Sequence, residues 1–392
     1  MSQILVSSRP ALKRLFATET QRRCCAPIFT NACTGFGRRN TIYSSIVSRD
    51  QFICDRRCNG TLMKAAQTAQ VVSTAADAGV AHGVSVAVIG VGLMGNKIAR
   101  RLASQGANVR AWNRSADKLS TLSEAGITVC NTIADATTAD VLLLTLSDAA
   151  TIRETILNDA VRHLLVGKTV LQMGTIGPKE SSSLASEVVS AGGVYVEAPV
   201  LGSQPEAEKG TLLIMVGADS DPRVTPEGPV WPLLCALGQQ PNIHYIGQVG
   251  TAAAVKLALN QLIASLTVGF STSLGLVQRS GAPVDKFMSI LRASALYAPT
   301  YDKKLGKMLD RDYGAANFPT KHLLKDVRLF ESEAAAAGLD TRLLAALRAV
   351  TQATVDRGLD NTDYSAVFDA VVYPDMRSTG GESAKVQQQR QQ

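Results

Sequence analysis

The chain has 392 residues, 46% hydrophobic and 19% charged, which leaves room for two domains of ordinary globular composition. No run approaches the roughly 20 uninterrupted apolar residues of a bilayer span, because the most apolar stretch, Leu257 to Val277, is broken by Asn260, Gln261 and several Ser and Thr. The net charge of +7 does not make a nucleic-acid surface: residues 1–83 hold eleven Lys/Arg against four Asp/Glu, and the remainder carries 29 of each sign.

Residues 1–83 read as an organelle transit peptide or leader. Met1 to Arg49 contains seven Arg, one Lys and a single acid, Glu19, among many Ser and Thr, without the apolar core of a secretory signal. Chloroplast and mitochondrion both fit, with the chloroplast preferred; the other reading is a disordered tail with no address. Five of the seven cysteines lie here (Cys24, Cys25, Cys33, Cys54, Cys58), leaving only Cys130 and Cys235 for the body. Neither a disulfide framework nor a metal site is expected from that spacing.

The body begins at Val84. An apolar strand over 84–89 runs into Gly90-Val91-Gly92-Leu93-Met94-Gly95, a helix over 93–105 follows, and a second strand over 108–112 ends at Asn113-Arg114-Ser115. This is the strand–glycine loop–helix–strand order of a dinucleotide site. Gly90 permits the turn, Gly92 lets the backbone approach a pyrophosphate, and Gly95 lets helix and strand pack closely. The helix N–H groups then face the phosphates.

A helix is expected next over 115–124, then strands near Thr128 and over 141–146 and 168–173. A helix over 178–190 precedes strands over 194–197, 211–216 and 243–246, with a proline-interrupted helical connection from Ser220 to Leu237. Such alternation predicts an α/β Rossmann-type N-terminal domain over 84–247 with a mostly parallel sheet. From Thr251 the strand signal stops. Helices over 251–279, 284–294, 300–308, 320–337, 341–357 and 363–371 make an all-α C-terminal domain over 248–376, and 377–392 reads as a disordered tail. The first of these helices is so apolar that it should be buried between domains or between subunits, which predicts a homo-oligomer, dimer or tetramer.

Cofactor choice is read from the end of the second strand. An acid there accepts the ribose 2′-hydroxyl of NAD, whereas Asn113-Arg114-Ser115 offers a guanidinium and a hydroxyl to a 2′-phosphate. NADPH is therefore expected; the other reading leaves Arg114 solvated with Asp117 reaching back to the ribose. Reducing a carbonyl also needs a proton donor. His82, His163, His244 and His322 are scattered. Lys256 is the sole charge in GTAAAVKLALN, with Asn260 four residues on along the same face. A lone cation on an apolar helix is costly unless something uses it, so Lys256 is either catalytic or snorkelling. In Phe318-Pro-Thr-Lys-His-Leu-Leu-Lys325-Asp326, Lys325 could meet an anion and Asp326 an ammonium, or the run is a solvated helix face.

Four motifs in order, GVGLMG at 90–95, EAPVLGSQPEAEKGTL at 197–212, GQVGTAAAVKLALN at 247–260 and KHLLKDVRL at 321–329, resemble the β-hydroxyacid dehydrogenase family. The resemblance covers about Ser85 to Tyr373 and looks most like its plant-type glyoxylate/succinic semialdehyde reductase branch. It implies that Lys256 is the general acid and Asn260 its support. It also implies that Leu146, Ser147 and Thr175 line the nicotinamide side, that Lys325 and Asp326 close the site, and that Phe318 walls the substrate pocket. One departure stands out. The family's usual APVSG reads Ala198-Pro-Val-Leu201-Gly202, replacing the serine that meets a substrate carboxylate, a task left to backbone N–H groups at Gly202 and Ser203 or to the Ser203 hydroxyl.

The expectation is NADPH-dependent reduction of a small aldehyde acid, glyoxylate to glycolate or succinic semialdehyde to 4-hydroxybutyrate, with no nucleic-acid or membrane partner. The alternatives are a 3-hydroxyisobutyrate-type dehydrogenase using NAD and a non-catalytic nucleotide-binding scaffold.

Overall fold

Strand β1 (Ser85–Ile89) lies at the middle of a sheet that continues through β2 (Asn108–Trp112), β3 (Thr128–Val129), β4 (Val141–Leu144), β5 (Thr169–Gln172) and β6 (Val194–Glu197). Those six pair in parallel in the order β3-β2-β1-β4-β5-β6. The strands β7 (Val200–Leu201), β8 (Leu213–Gly217) and β9 (Ile243–Gly247) extend it, with β8 antiparallel to β6 and β7 and parallel to β9. A computed structural model describes residues 81–220, 228–314 and 316–375. The leader up to residue 80, the prolines at 222 and 226, and the expected tail at 377–392 lie outside the described residues.

Six helices connect these strands: α1 (Leu93–Ser104), α2 (Ile133–Ala136), α3 (Ala149–Ile156), α4 (Pro178–Ser190), α5 (Gln204–Lys209) and α6 (Val230–Leu237). Alternate strand residues divide between two cores, as the pleat requires. Val86, Val88, Val141 and Leu143 pack under α1 and α6, whereas Ala87, Ile89, Leu142 and Leu144 pack under α3 and α4. Both faces are covered, which is why these strands read as continuous apolar runs.

Among the described residues, ordered contacts already precede Val84. Ala81 is fully buried, and the N–H groups of Ala81 and Gly83 donate to Gln105 O and Gly106 O beyond the end of α1.

Two local expectations differ from the structure. The helix expected over 115–124 is instead two 3₁₀ turns, Ala116–Leu119 and Ser123–Ala125. Ser120 Oγ donates to Asp117 O at 2.9 Å, a side-chain bond that competes with helical continuation, and Gly126 follows at φ 73°. Conversely, α2 and α5 are too short to show a periodic apolar face, and α3, which does bury Ala149, Ile152 and Ile156 along one face, spans only eight residues. Caps start them: Thr132 with Asp135, Asp148 with Thr151 N, and Ser203 with Glu206.

After Gly247 no further strand occurs among the described residues. The helices are α7 (Thr251–Arg279), α8 (Val284–Ala293), α9 (Pro299–Asp310), α10 (Thr320–Ala336), α11 (Arg342–Thr354) and α12 (Val367–Val372). Helix α7 is the axis of this part, packing on α10 and α12 along its length and on β8 and α4 at its start. Among the described helices it alone is long and apolar enough to cross a bilayer. Its inward face nevertheless carries Lys256, Asn260, Thr267 and Ser271, the polar inventory of a core helix with internal partners.

Candidate active site

The strand order reverses between β1 and β4, and in open α/β sheets ligands bind beyond the carboxyl ends of strands at such a point. The glycine loop lies there. Gly90 has φ 95°, and a Cβ on Gly95 would sit 2.1 Å from Gly90 O, so only glycine lets α1 start so close to β1. At Gly92 a Cβ would meet nothing within 4 Å. That opening faces the first turn of α1, whose side chains provide no cap for its N–H groups. Unpaired helix N–H groups beside open space suit a pyrophosphate, so the residues present fit a dinucleotide. Val91 is buried and Met94 packs inward, while Leu93 stays exposed.

Asn113 ties the two halves of this loop together. Its Oδ1 accepts from Val91 N at 2.9 Å and its Nδ2 donates to Ser115 O at 2.9 Å. Arg114 and Ser115 are exposed at the turn thus fixed. Leu146 packs against Gly90 and Gly174, and Ser147 Oγ donates to Asp148 Oδ2 at 2.7 Å.

From that rim a chain of polar contacts leads to the helical domain. Lys325 Nζ donates to Thr175 O at 2.5 Å and lies 3.0 Å from Asp326 Oδ1. The latter contact is ionic, since Oδ1 has no aligned hydrogen-bond donor. Asp326 Oδ2 accepts from Asn260 Nδ2 at 2.6 Å, and Asn260 Oδ1 accepts from Lys256 Nζ at 2.9 Å. Lys256 is 8% exposed, Asn260 3% and Asp326 3%. Five of the expected site residues therefore form one connected unit: Thr175, Lys325, Asp326, Asn260 and Lys256.

The electrostatics of that unit are dominated by burial. Desolvation pulls the Lys256 pKa down to about 8, against the attraction of Asp326 and with the help of Lys325. A single neutral acceptor does not replace a hydration shell, so desolvation prevails. Burial also lowers the pKa of His322, reinforced by Lys325. That ring stacks on Phe318, which packs edge-on against Tyr364.

The segment after β6 is less directly engaged. Leu201 is half-buried, and Gly202 adopts φ 142° against Leu212. Ser203 differs from expectation. Its N–H and Oγ both donate to Glu206 Oε2, at 2.8 and 2.5 Å, to cap α5, so neither donor is left for a substrate carboxylate. Next to it, Gln204 Nε2 reaches Asn317 Oδ1 at 3.3 Å, beside Phe318.

One residue of this region carried no role in the sequence reading. Glu197, at the end of β6, is 1% exposed. Its Oε1 accepts from the N–H groups of Gly250, Ala252 and Ala253 at 2.8, 2.9 and 3.3 Å, and its Oε2 accepts from Ser181 Oγ at 2.5 Å. Burial raises its pKa against the pull of those donors. The available signal was an acid closing an apolar strand, Val-Tyr-Val-Glu197, where a solvated carboxylate has no place.

Known proteins share this two-part organisation. The model of the NAD-binding domain of 6-phosphogluconate dehydrogenase matches residues 85–247. That of the NAD-binding region of NADP-dependent 3-hydroxyisobutyrate dehydrogenase matches residues 250–371. Glyoxylate/succinic semialdehyde reductase 1 of Arabidopsis thaliana is 30% identical over 74% of this chain and 99% of its own length. The chloroplastic reductase 2 of the same plant is 28% identical over 74% of this chain and 79% of its own. The cytokine-like nuclear factor N-PAC of Xenopus tropicalis is 26% identical over 74% of this chain, which spans about half of that longer protein. Among solved structures, a 3-hydroxyisobutyrate dehydrogenase from Salmonella typhimurium shares the fold, with TM-score 0.65 at 22% identity over 73% of this chain and 99% of that one. With a dinucleotide loop, a buried lysine beyond the sheet and matching relatives along both domains, the chain belongs to the β-hydroxyacid dehydrogenase family of nicotinamide-dependent oxidoreductases.

Proposed function

We propose that the chain uses NADPH to reduce a short aldehyde acid, glyoxylate or succinic semialdehyde, with Lys256 as the proton donor. The observation that carries this reading is the buried Lys256, linked through Asn260, Asp326 and Lys325 to Thr175 at the carboxyl edge of the sheet. A bound nicotinamide supplies the hydride. Lys256 holds the proton that the developing alkoxide needs, and Asn260 accepts from its Nζ and limits where that proton can point. Asp326 orients Asn260, and Lys325 anchors Asp326 to the backbone of the other domain. A lysine poised near pH 8 gives up its proton far more readily than a solvated one, and returns neutral to a site that disfavours charge.

Arg114 supports NADPH, and the names of the two Arabidopsis relatives support the substrate class. Steady-state turnover of the full chain with a panel of aldehyde acids and both cofactors tests the proposal. A preference for NADH overturns the cofactor assignment, and no turnover of any aldehyde acid overturns the substrate class.

The composition of residues 1–83 supports import into an organelle, chloroplast or mitochondrion, and a fluorescent fusion of that segment reports which. Self-association is supported by α7, where Leu262 and Leu276 are 53% and 71% exposed despite the helix's central position. Light scattering at micromolar concentration is expected to give a dimer or tetramer; a monomeric mass rules that out.

A further inference from the structure

Helix α7 begins without a cap of its own. Gly250 stands at its N-cap with φ 98°, a conformation that favours glycine and leaves no side chain to accept the first N–H groups. Glu197 supplies the missing acceptor from another element, the last of the six strands that pair in parallel around β1. One of its oxygens takes three backbone N–H groups in that first turn, while Ser181 Oγ holds the other. Ser181 in turn is 3.0 Å from Tyr195 OH.

The surroundings are shaped for this carboxylate. A Cβ on Gly217 would fall 2.2 Å from Glu197 Oε1, so β8 leaves room for the side chain by carrying glycine there. Ser181 and Glu197 are almost wholly buried, and the acceptor sits at the positive end of a 29-residue helix. Lys256 follows Ala252 by four residues and Ala253 by three, hence on the same face and one turn up. A shift or rotation of the first turn moves Lys256 with it, because no loop intervenes.

Resting on the reading of Lys256 as proton donor, we propose that Glu197 is its positioning residue. By clamping the start of α7 to the sheet that carries the glycine loop, Glu197 sets the height and rotation of Lys256 relative to the nucleotide. It touches no reacting atom and acts only through the helix.

The test compares Glu197→Ala with Glu197→Gln in the full-length protein. Alanine removes the acceptor, and a displacement of about 1 Å at the reacting groups is worth on the order of 10²-fold in rate. The expected result is a fall of that order in kcat with NADPH affinity essentially unchanged. The Glu197→Ala/Lys256→Met double variant should lose no more than Lys256→Met alone, since both remove one function. Glutamine keeps a carbonyl oxygen for the three N–H groups and is expected within about fivefold of the parent, the difference between a charged and a neutral acceptor.

Acetylation of Lys256 by acetic anhydride, followed by mass spectrometry, reads the same displacement without turnover. It should be faster in Glu197→Ala than in the parent. Parent protein inactive toward every aldehyde acid speaks against the proposed function, while the acetylation rates still decide the role of Glu197. An unchanged kcat, additive losses with Lys256→Met, or an unchanged acetylation rate overturns the positioning role. Should the alanine variant fail to fold, Glu197→Asp keeps the charge but shortens the side chain by one methylene and draws the acceptor away from the three N–H groups. It is then expected to lower kcat at constant NADPH affinity, and an unchanged kcat overturns the proposal.

Discussion

Lys256→Met is expected to reduce kcat for aldehyde reduction by about 10³-fold or more while NADPH binding stays intact. Proton transfer by a placed side chain contributes about 10²- to 10⁴-fold. Methionine matches the length of the stem and its apolar surroundings, so the helix keeps its packing. The change removes a cation whose burial is unfavourable, and it leaves Asn260 Oδ1 without its donor, at a cost of about 1–3 kcal/mol. These effects oppose each other, so the melting temperature should move little compared with the rate. Turnover within tenfold of the parent defeats the mechanism.

The pH profile supplies a second check with a definite sign. With Lys256 as the proposed proton donor, reduction draws on its ammonium form, whose pKa burial brings down to about 8. The rate of reduction should therefore be level at neutral pH and decline as pH rises through 8, while oxidation of the alcohol, which needs the free amine, should rise over the same range. A decline beginning only above pH 10 means that Lys256 behaves as a solvated side chain and that the burial is not felt.

The parts of this molecule that were readable in the sequence are those where one residue type has one physical use. Gly90 and Gly95 mark a turn and a close approach that no other residue permits, and the structure shows both. Lys256 and Asn260 stood out because a charge on an apolar helix calls for a partner four residues away. Short elements that begin at a cap were not readable. Helix α3, Ala149–Ile156, starts from Asp148, and the expected helix over 115–124 gives way to 3₁₀ turns where Ser120 bonds back to Asp117 O. Long-range polar contacts were also hidden. Nothing in the local sequence says that Glu197 reaches Gly250, or that Asn260 meets Asp326. Spacing along an element reports who shares a face; it does not report which groups meet across elements.

Arg114→Asp is expected to raise the KM for NADPH by about 100-fold or more and to leave kcat within a few-fold. A charge-assisted hydrogen bond is worth about 1.5–3 kcal/mol, and a carboxylate in its place adds repulsion toward a 2′-phosphate. The backbone turn should survive, because it is held by Asn113 through Val91 N and Ser115 O, while the Arg114 side chain is exposed. Binding is lost equally from ground and transition states, so the defect belongs in KM. The KM for NADH should hold or improve, since an acid can accept the ribose hydroxyl. An NADPH KM within threefold of the parent instead assigns the ribose to Asp117, which lies in the neighbouring 3₁₀ turn on the same exposed edge. Salt separates the two readings in the unmodified protein. An exposed guanidinium–phosphate pair is screened as ionic strength rises, so the KM for NADPH should climb with salt while that for NADH, bound by a neutral hydroxyl contact, stays level.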